Sequence, residues 1–566
     1  MKTLYFYLIV LLITPLYTSA QSLEWIQHFA ASESEYVYAT DIETDESGNI
    51  FIVGIFSGTV DFDPGVDNFD LTADELGSSF ICKLDETGNF LWAIKYIPTI
   101  RIFLEGFDSV GSLYLSISFV ETQDFNPGSG VFEISSEGSV DSAILKLSPS
   151  GEFIWAKSFG STGQDYITGV SIDANDNSYI TGIYTGEADF DPGPGSEILD
   201  NLGGSNYTFV LKLNAAGEFV WVKQFANEMS SWGNDIEIDD LGNIYLTGRF
   251  GGSMDFDLGP NEAILTSSET AYRFICKMDF DGNYIWATSS GCGNGILVGP
   301  NNAIYVTGNY ENTIDIDPSS GVLNLTAQGG DNIYICKLNA ITSDLIWGKS
   351  IGGPGEAFNP ELTLDNSGNV LITGTFLETI DFNEDIDSLN SEGDRDIFVS
   401  QLDISTGNDI CAFNIGGIGL EEPYGILSTS SGDILLSGLF QETVDFDLSE
   451  EVLELTSNAN VGTFDADSFI LKFAPCENNL GIEDNDDIPS LKVYPNPSSG
   501  QFILEINRKV EILKIEIYDS CGRLIKKDIH KFTNRIDINL TNYSSGLYFA
   551  KLTFENSDKN MKLVKL

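Results

Sequence analysis

Gly242-Asn243-Ile244-Tyr245-Leu246-Thr247-Gly248 opens the stretch that decides the fold of this 566-residue chain. It is followed by Asp255-Phe256-Asp257, then by Phe274-Ile275-Cys276-Lys277, and then by Gly282-Asn283-Tyr284-Ile285-Trp286. Related stretches occur seven times between Ser47 and Phe473. Self-similarity at a long, nearly fixed period is typical of propellers, solenoids and other repeat arrays.

Each copy has the pattern of one four-stranded propeller blade. The third copy contains four strand-like runs separated by turn residues, namely Tyr166–Asp173, Ser178–Phe190, Tyr207–Leu213 and Glu218–Phe225. Surplus residues between the acidic turn and the third run predict insertions on one rim of the disc. The residue that ends the first conserved strand recurs every 60 to 66 residues, at Gly54, Ser116, Gly182, Gly248, Gly308, Gly374 and Gly438. These features predict an all-β propeller.

Incomplete copies at the two ends predict how the ring closes. The seventh copy stops after Phe473 and lacks a Trp-bearing strand, whereas Leu23–Phe29 has the pattern of that missing strand. Pairing the two would remove exposed sheet edges. We therefore predict that residues 21–475 form a seven-bladed β-propeller closed by its N-terminal strand.

The copies resemble the bacterial seven-bladed β-propeller repeat family, which has G-N-x-Y-[IV]-T-G and K-L-x-x-x-G-x-x-x-W-A patterns. The resemblance covers roughly residues 22–475 and is carried by all seven copies together. Ser116 and Cys411 depart from the patterns in the second and sixth copies. Known members of such families mostly lack an assigned activity, so the resemblance implies an architecture and little about function.

The N-terminus predicts a secretory signal peptide over residues 1–20. Lys2 precedes an apolar run from Leu4 to Ile13, and Thr18-Ser19-Ala20 offers small residues for cleavage. An uncleaved anchor is the alternative. A membrane-spanning helix needs roughly 20 apolar residues, and no later segment approaches that length. We therefore predict no transmembrane segment in the mature chain.

The charge is strongly acidic and unevenly distributed. Of 28 Lys and Arg and 85 Asp and Glu, residues 491–566 hold 13 and 8, which leaves 15 and 77 in residues 1–490. Such an anionic body repels nucleic acid and favours solubility or cation binding.

The numbers and positions of cysteine and histidine limit the kinds of metal, disulfide and catalytic site that the chain can form. Cys82, Cys276 and Cys336 share one repeat position with leucines, which indicates a buried apolar site. An odd total of seven argues against a disulfide scaffold, although one bridge in an oxidising compartment remains open. His28 and His530 are the two histidines, so a multi-histidine zinc site is excluded.

Six tryptophans recur at one position of the repeat. Recurrence in nearly every blade favours packing between blades, with an aromatic sugar-stacking surface as the alternative. Trp232 lies outside the pattern and is the better candidate for an exposed aromatic. The six are Trp25, Trp92, Trp155, Trp221, Trp286 and Trp347.

An acidic D-x-[DN] turn in each copy is the strongest chemical candidate. Side chains at i and i+2 of a strand share one face, so their oxygens could converge on calcium, which takes six to eight oxygen ligands. The alternative is a turn in which Asp accepts backbone N–H groups. The calcium candidates are Asp61, Asp63, Asp189, Asp191, Asp255, Asp257, Asp315, Asp317, Asp445 and Asp447.

After an acidic linker at residues 476–490, residues 491–566 resemble the type A C-terminal sorting domain of the type IX secretion system of Bacteroidota. We expect this domain to be a small β-sandwich. The resemblance implies recognition by that secretion machinery, passage through the periplasm and outer membrane, and a secreted or cell-surface destination. It is carried by Tyr494, Pro495, Asn496, Pro497, Gly500, Gly522, Gly546 and Tyr548.

These observations predict a secreted or cell-surface protein that binds a glycan or a protein, or acts as a scaffold. No catalytic residue is assigned, and calcium is the one cofactor considered. A carbohydrate-active enzyme with a carboxylate pair on the propeller face is the alternative. No blade shows a distinctive convergence of polar residues in the sequence, which favours binding over catalysis.

Overall fold

The computed structural model forms two compact units, Met1–Glu477 and Asn478–Leu566. The signal peptide, most of the acidic linker, and Pro495, Asn496, Pro497 and Gly522 lie outside the described residues. The structure describes residues 22–31, 35–65, 67–75, 77–97, 100–200, 206–227, 229–267, 272–382, 386, 388–448, 452–458, 466–476, 491–494, 498–519, 523–541, 543–544, 546–553 and 558–565.

The described part of the first unit contains seven four-stranded antiparallel sheets, which we call blades 1 to 7. Each blade has an inner, a second, a third and an outer strand, in that spatial order. Inner strands are Val37–Thr44, Arg101–Phe107, Tyr166–Ile172, Ser231–Ile238, Gly295–Gly299, Glu356–Leu364 and Glu421–Ser428. Second strands are Ile50–Phe56, Leu113–Phe119, Ser178–Tyr184, Ile244–Phe250, Ala303–Tyr310, Val370–Leu377 and Ile434–Phe440.

Third strands are Ser78–Leu84, Asp141–Leu147, Tyr207–Leu213, Tyr272–Met278, Asn332–Asn339, Asp396–Leu402 and Asp467–Phe473. Outer strands of blades 1 to 6 are Phe90–Tyr96, Phe153–Phe159, Phe219–Phe225, Tyr284–Ser290, Leu345–Ile351 and Asp409–Ile415. The all-β propeller predicted from the repeats is confirmed.

The ring closes through the N-terminal strand. Leu23–Phe29 pairs antiparallel with Asp467–Phe473 and supplies the outer strand of blade 7. The inner strands contact one another in a closed cycle, from blade 1 through to blade 7 and back to blade 1. The seven inner strands therefore surround the middle of the disc.

The insertions predicted on one rim form small hairpins. In blade 3 the run Ser178–Phe190 divides, because the second strand ends at Tyr184 and a new strand begins at Glu187. Gly186 between them has φ 82°, a conformation that favours glycine. The hairpins pair Thr59–Asp61 with Asp70–Thr72, Thr122–Asp124 with Glu133–Ser135, Glu187–Asp189 with Ile198–Asp200, Ser253–Asp255 with Ile264–Thr266, Thr313–Asp315 with Asn324–Thr326, Thr379–Ile380 with Leu389–Asn390, and Thr443–Asp445 with Glu454–Thr456.

The recurring tryptophans pack between blades, as predicted. Trp92 of blade 1 packs against the core of blade 2, and Trp155 of blade 2 against the core of blade 3. Trp25, in the outer strand of blade 7, packs against blade 1. Each tryptophan thus covers the next blade rather than a ligand surface. Trp232 is partly buried, with the Arg249 guanidinium 4.7 Å from its ring centre.

Cysteines also lie inside the propeller. Cys82, Cys276 and Cys336 are fully buried in the third strands, which confirms their assignment as apolar core positions. Cys411 and Cys476 form a disulfide that joins blade 6 to the end of blade 7. Cys411 occupies the position where six other outer strands carry tryptophan.

The second unit forms one five-stranded sheet. The strands Gln501–Asp519 and Leu524–Asn539 are much longer than the other three. Phe502, near the start of the first of them, and Ile515, near its end, lie in the same hydrophobic core. The described strands of this all-β unit are thus connected by hydrogen bonds around one shared core, in keeping with the small β-domain that the sequence predicts. The strands are Leu491–Tyr494, Gln501–Asp519, Leu524–Asn539, Gly546–Thr553 and Asp558–Lys565.

Over the part of the chain that the structure describes, no helix is long and apolar enough to cross a membrane.

Candidate functional site

The D-x-D turns lock the rim hairpins through backbone hydrogen bonds. In blade 4, Asp255 Oδ1 accepts the N–H of Asp257 at 3.1 Å and that of Ala263 at 2.8 Å. Asp257 Oδ1 accepts the N–H of Gly259 at 2.9 Å. Phe256 between the two aspartates is buried in the blade core. This is the turn chemistry given above as the alternative to calcium binding.

The same bonds recur in the other candidate blades. Asp61, Asp189, Asp315 and Asp445 each accept the N–H groups of the residues two and eight positions later. Asp63, Asp191 and Asp317 each accept an N–H two positions later. The described residues hold no group of three or more Asp, Glu, His or Cys placed for a metal ion. Each turn thus offers fewer ligands than calcium prefers, and calcium binding there stays a prediction.

A second acidic group, absent from the sequence analysis, lies in the middle of the ring. We call it the channel cluster: six carboxylates on the inner strands of four blades. Electrostatic interactions join blades that are not neighbours, such as Glu43 with Glu237 and Asp235 with Glu361. Such pairs can meet only across the centre of the disc. The cluster consists of Asp41, Glu43, Glu105, Asp235, Glu237 and Glu361.

Three members of the cluster connect neighbouring blades. Asp41 Oδ2 accepts the N–H of Leu104 on blade 2 at 3.0 Å, and Asp235 Oδ2 accepts that of Ile296 on blade 5 at 2.9 Å. Glu105 Oε2 accepts an N–H from blade 3 at 3.1 Å. Each lies at a β-bulge of its inner strand. Their positions therefore have a structural explanation, since a bulge interrupts the regular ladder.

Of the remaining members Glu43, Glu237 and Glu361, among the described residues only Glu237 has a hydrogen bond to the inner strand of another blade, at Ser171 of blade 3. Glu237 Oε2 accepts the Ser171 hydroxyl and the N–H of Ile238, both at 3.3 Å. Glu43 and Glu361 stand on blades 1 and 6, with their side chains in partial or full contact with solvent. Glu43, Glu237 and Glu361 thus present carboxylates to the channel from three blades.

The surroundings favour the protonated forms of these acids. Enclosure by the ring limits the hydration of both groups, although the Glu361 side chain still contacts solvent. This desolvation, followed by the charge of Asp235, raises the pKa of Glu237 to about 8 and that of Glu361 to about 7. Burial and then Glu105 raise the pKa of Glu43 to about 7. Burial raises the pKa of Asp235 to about 6. Several channel carboxyls therefore change charge near neutral pH.

A cleft of about 660 Å³ lies between blades 4 and 5 and is lined partly by Glu237. Asp239 and Asp240 add acidic groups on the blade 4 side. On the blade 5 side, Asn301 and Asn302 have φ 60° and 56°, values that Asn tolerates better than most residues. Glu237 therefore belongs to both the channel cluster and this cleft.

The sequence carries one signal for the channel cluster. Asp41-Ile42-Glu43 and Asp235-Ile236-Glu237 are the same tripeptide on the inner strands of blades 1 and 4. The inner strands of the other five blades lack it, so it breaks the repeat symmetry. Convergence becomes visible only when the ring brings blades 1 and 4 across from each other.

His28 contacts Asp467 and so helps to hold the N-terminal strand in blade 7. Its Nε2 lies 2.9 Å from Asp467 Oδ2, and Asp467 Oδ1 accepts the N–H of Ala31. The pair joins the N-terminal strand to blade 7. His28 therefore takes part in ring closure, away from the channel cluster.

Four of the sorting-motif residues lie among the described ones. Gly500 has φ 112°, and its N–H donates to the Ser498 hydroxyl. Tyr548 is buried, and its hydroxyl donates to the carbonyl oxygen of Ser544 at 2.6 Å. Tyr494 ends the first strand, and Gly546 begins the fourth.

Comparison with known proteins gives a family for the C-terminal unit. Residues 492–566 match the family described as "Secretion system C-terminal sorting domain". An uncharacterized WD repeat-containing protein of Acanthamoeba polyphaga mimivirus is 27% identical over 499 residues, covering 78% of this chain. The matched region spans 32% of that viral protein, about a third of its length.

Two solved structures are also similar. A protein of unknown function from Dyadobacter fermentans has 11% identity and a TM-score of 0.36, covering 81% of this chain and 100% of that one. A fungal alcohol oxidase of the AA5 family in complex with copper has 10% identity and a TM-score of 0.29, covering 84% and 98%.

The tyrosine, proline and glycine motifs, the five-stranded unit and the family match agree. Residues 492–566 are a secretion system C-terminal sorting domain, which directs this propeller-like repeat protein through the type IX secretion system to the cell surface or the extracellular space.

Proposed function

We propose that this exported protein is a binding or scaffold protein whose acidic central channel attracts hydrated cations, although the described residues form no three-ligand metal centre. The observation that carries this proposal is the electrostatic interaction of Glu237 with Glu43 and of Glu361 with Asp235 across one channel. The three stabilising N–H contacts between blades are made by other members of the cluster. Calcium is the probe of choice because it prefers carboxylate oxygens.

The raised pKa values support a cation over an anion. Desolvation, and after it the like charges nearby, hold some channel carboxyls in the protonated form near neutral pH. A bound cation would stabilise their ionised forms and release protons. Cation affinity should therefore increase from pH 6 to pH 8.5.

The experiment is thermal unfolding of the mature chain in millimolar calcium and again in chelator, at pH 8. A ligand that binds only the folded protein raises the midpoint by mass action. The triple variant Glu43→Gln, Glu237→Gln and Glu361→Gln removes three of the six channel carboxylates. The variant Asp255→Asn with Asp257→Asn, which alters one rim turn, is the matched control.

The outcomes separate the two acidic groups. A calcium-dependent rise that is lost in the channel variant and kept in the rim variant supports the proposal. A rise that persists in the channel variant and requires the aspartates of the rim moves the site to the D-x-D turns. Superimposed curves for the unmodified protein reject both cation sites and leave scaffold or protein binding.

One observation favours a second candidate, a carbohydrate-active enzyme. Asp235 and Glu237 share a face of one strand, and their pKa values of about 6 and about 8 differ. Glycoside hydrolysis uses one protonated and one ionised carboxyl group. Release of reducing sugar from a polysaccharide panel, lost in Glu237→Gln and kept in Asp240→Asn, would establish it. No release above a heat-inactivated sample would reject it for those polysaccharides.

A further inference from the structure

Two buried cysteines on neighbouring blades meet sulfur to sulfur. Cys292 follows the outer strand of blade 4, and Cys336 lies in the third strand of blade 5. Their Sγ atoms are 3.1 Å apart, and the residues are separated by 44 positions in the chain. Non-bonded carbon atoms settle at roughly 3.5–4.0 Å, and sulfur is larger than carbon. Both residues are fully buried.

A break in the repeat creates this contact. Six outer strands end on a large buried side chain that packs near the next blade, whereas blade 4 ends on Ser290. The small serine leaves room beside Ile316 and Tyr334, and Cys292 joins both in the core of blade 5. The six large residues are Phe29, Tyr96, Phe159, Phe225, Ile351 and Ile415.

Cysteines at the same repeat position as Cys336 have different surroundings. The thiol of Cys82 faces the carbonyl oxygen of Phe62 at 3.9 Å. The matching carbonyl in blade 5 belongs to Ile316, and it lies 3.5 Å from Cys292 Sγ. In blade 1 the neighbour of the Cys82 thiol is thus a carbonyl oxygen, whereas in blade 5 the neighbour of the Cys336 thiol is the sulfur of Cys292.

We propose that Cys292 and Cys336 form a disulfide in the exported protein, which links blade 4 covalently to blade 5. The two thiols lose two protons and two electrons as the S–S bond forms. A disulfide-bearing thiol oxidase outside the cytoplasm accepts them by thiol–disulfide exchange and becomes a dithiol. The Cys411–Cys476 disulfide joins blades 6 and 7 in a similar way.

Burial sets the time at which this bond forms. Burial, and then the neighbouring Cys292, raise the pKa of the Cys336 thiol well above its ordinary value. The thiolate is the species that attacks a disulfide. Once blades 4 and 5 have closed, both thiols are also shielded from an oxidase. Oxidation therefore belongs to folding and precedes closure of this interface.

The bond would join the same two blades that line the cleft described above. Glu237 to Leu241 of blade 4 and Val298 to Ala303 of blade 5 line opposite sides of it. A covalent link between the same two blades limits how far these sides can separate. The proposal does not depend on a ligand in that cleft.

The test is a non-reducing peptide map of the mature protein recovered from outside the cell. Free thiols are alkylated under denaturing conditions without reductant, and the chain is then digested. We expect a linked peptide pair containing Cys292 and Cys336, with Cys82 and Cys276 alkylated. Alkylation of both Cys292 and Cys336, or linkage of either to another cysteine, would overturn the proposal.

Variants provide a second measurement. In Cys292→Ala, Cys336 should become fully alkylated and the unfolding midpoint should lose part of its sensitivity to reductant. Cys276→Ala, which changes a buried cysteine at the same position as Cys336, should keep the linked pair. If Cys292→Ala does not fold, the peptide map of the unmodified protein still decides the question.

Discussion

At the scale of single residues, Glu237 should make stability depend on pH. Its pKa is about 8 in the folded chain against an ordinary value of 4.5. The folded protein therefore keeps a proton that the unfolded chain releases, so the free energy of unfolding falls as pH rises across this window. Glu237→Gln should raise it by about 1–2 kcal/mol at pH 8.5, because one pKa unit corresponds to about 1.4 kcal/mol and solvent in the channel screens part of the effect.

Urea unfolding at pH 5 and pH 8.5 measures this effect. The amide oxygen of Gln can still accept the bonds from Ser171 and Ile238. Asp240→Asn is the control, because Asp240 is exposed on the adjoining turn. Equal gains for Glu237→Gln at both pH values would contradict the assignment of a raised pKa.

The hydrogen bonds of the rim turn give a second residue-scale prediction. Asp255→Ala leaves the N–H groups of Asp257 and Ala263 without their acceptor. We expect a loss of about 1–2 kcal/mol in the free energy of unfolding, since an unsatisfied donor costs that much. Asp255→Asn keeps an acceptor oxygen and should lose less. Equal losses for Ala and Asn would show that charge matters there, which would favour calcium.

These two residues also show what the sequence can reveal. The D-x-D turns are predictable because both partners of each hydrogen bond lie within nine residues of each other. The channel cluster is not, because Asp235 and Glu105 interact across the ring. Their proximity depends on how many blades close the circle and on the bulges in two separate strands.

At the scale of elements, the outer-strand tryptophans should differ in their hydrogen bonds. Trp286 Nε1–H donates to the carbonyl oxygen of Ala340 at 3.3 Å. Trp221 Nε1 is buried, with no hydrogen-bond partner in the described residues. Trp286→Phe should therefore cost about 1 kcal/mol more than Trp221→Phe, the net contribution of one hydrogen bond.

Chemical denaturation of the two variants tests this comparison. Both substitutions remove similar packing area, so each serves as the control of the other. Equal destabilisation would mean that the indole N–H of Trp286 contributes nothing. A larger loss in Trp221→Phe would contradict the prediction directly.

The sequence predicts some of the strands more accurately than others. The four strands of each blade follow from alternating apolar runs and intervening turn residues. The division of Ser178–Phe190 was missed, because both parts keep the same alternation while Gly186 changes the chain direction. In the C-terminal unit, the sequence motifs predicted a small β-domain, but the lengths of the strands Gln501–Asp519 and Leu524–Asn539 did not follow from them.

For the molecule as a whole, removal of residues 21–29 should open the ring. Asp467–Phe473 would then present an unpaired edge, and Asp467 would lose His28. We expect a lower unfolding midpoint and concentration-dependent association, because exposed edges pair with other chains. Size-exclusion chromatography with thermal unfolding provides the measurement.

Two further samples test whether the effect of the truncation comes from the loss of strand pairing. His28→Ala keeps the strand and removes only one contact, so it should stay monomeric. A synthetic peptide of residues 21–31 should restore part of the midpoint in the truncated chain. A truncated protein that remains monomeric with an unchanged midpoint would contradict closure by this strand.

Ring closure also has a consequence for biogenesis. His28 and Asp467 are 439 positions apart, so the first strand waits unpaired until almost the entire propeller has been synthesised. Contacts between distant parts of a chain form slowly, and incomplete chains expose edges that aggregate. We expect any product that ends before blade 7 to lack its closing partner and to be more accessible to proteases. The sorting domain follows the propeller in the chain, so a chain that carries this export signal already contains every blade.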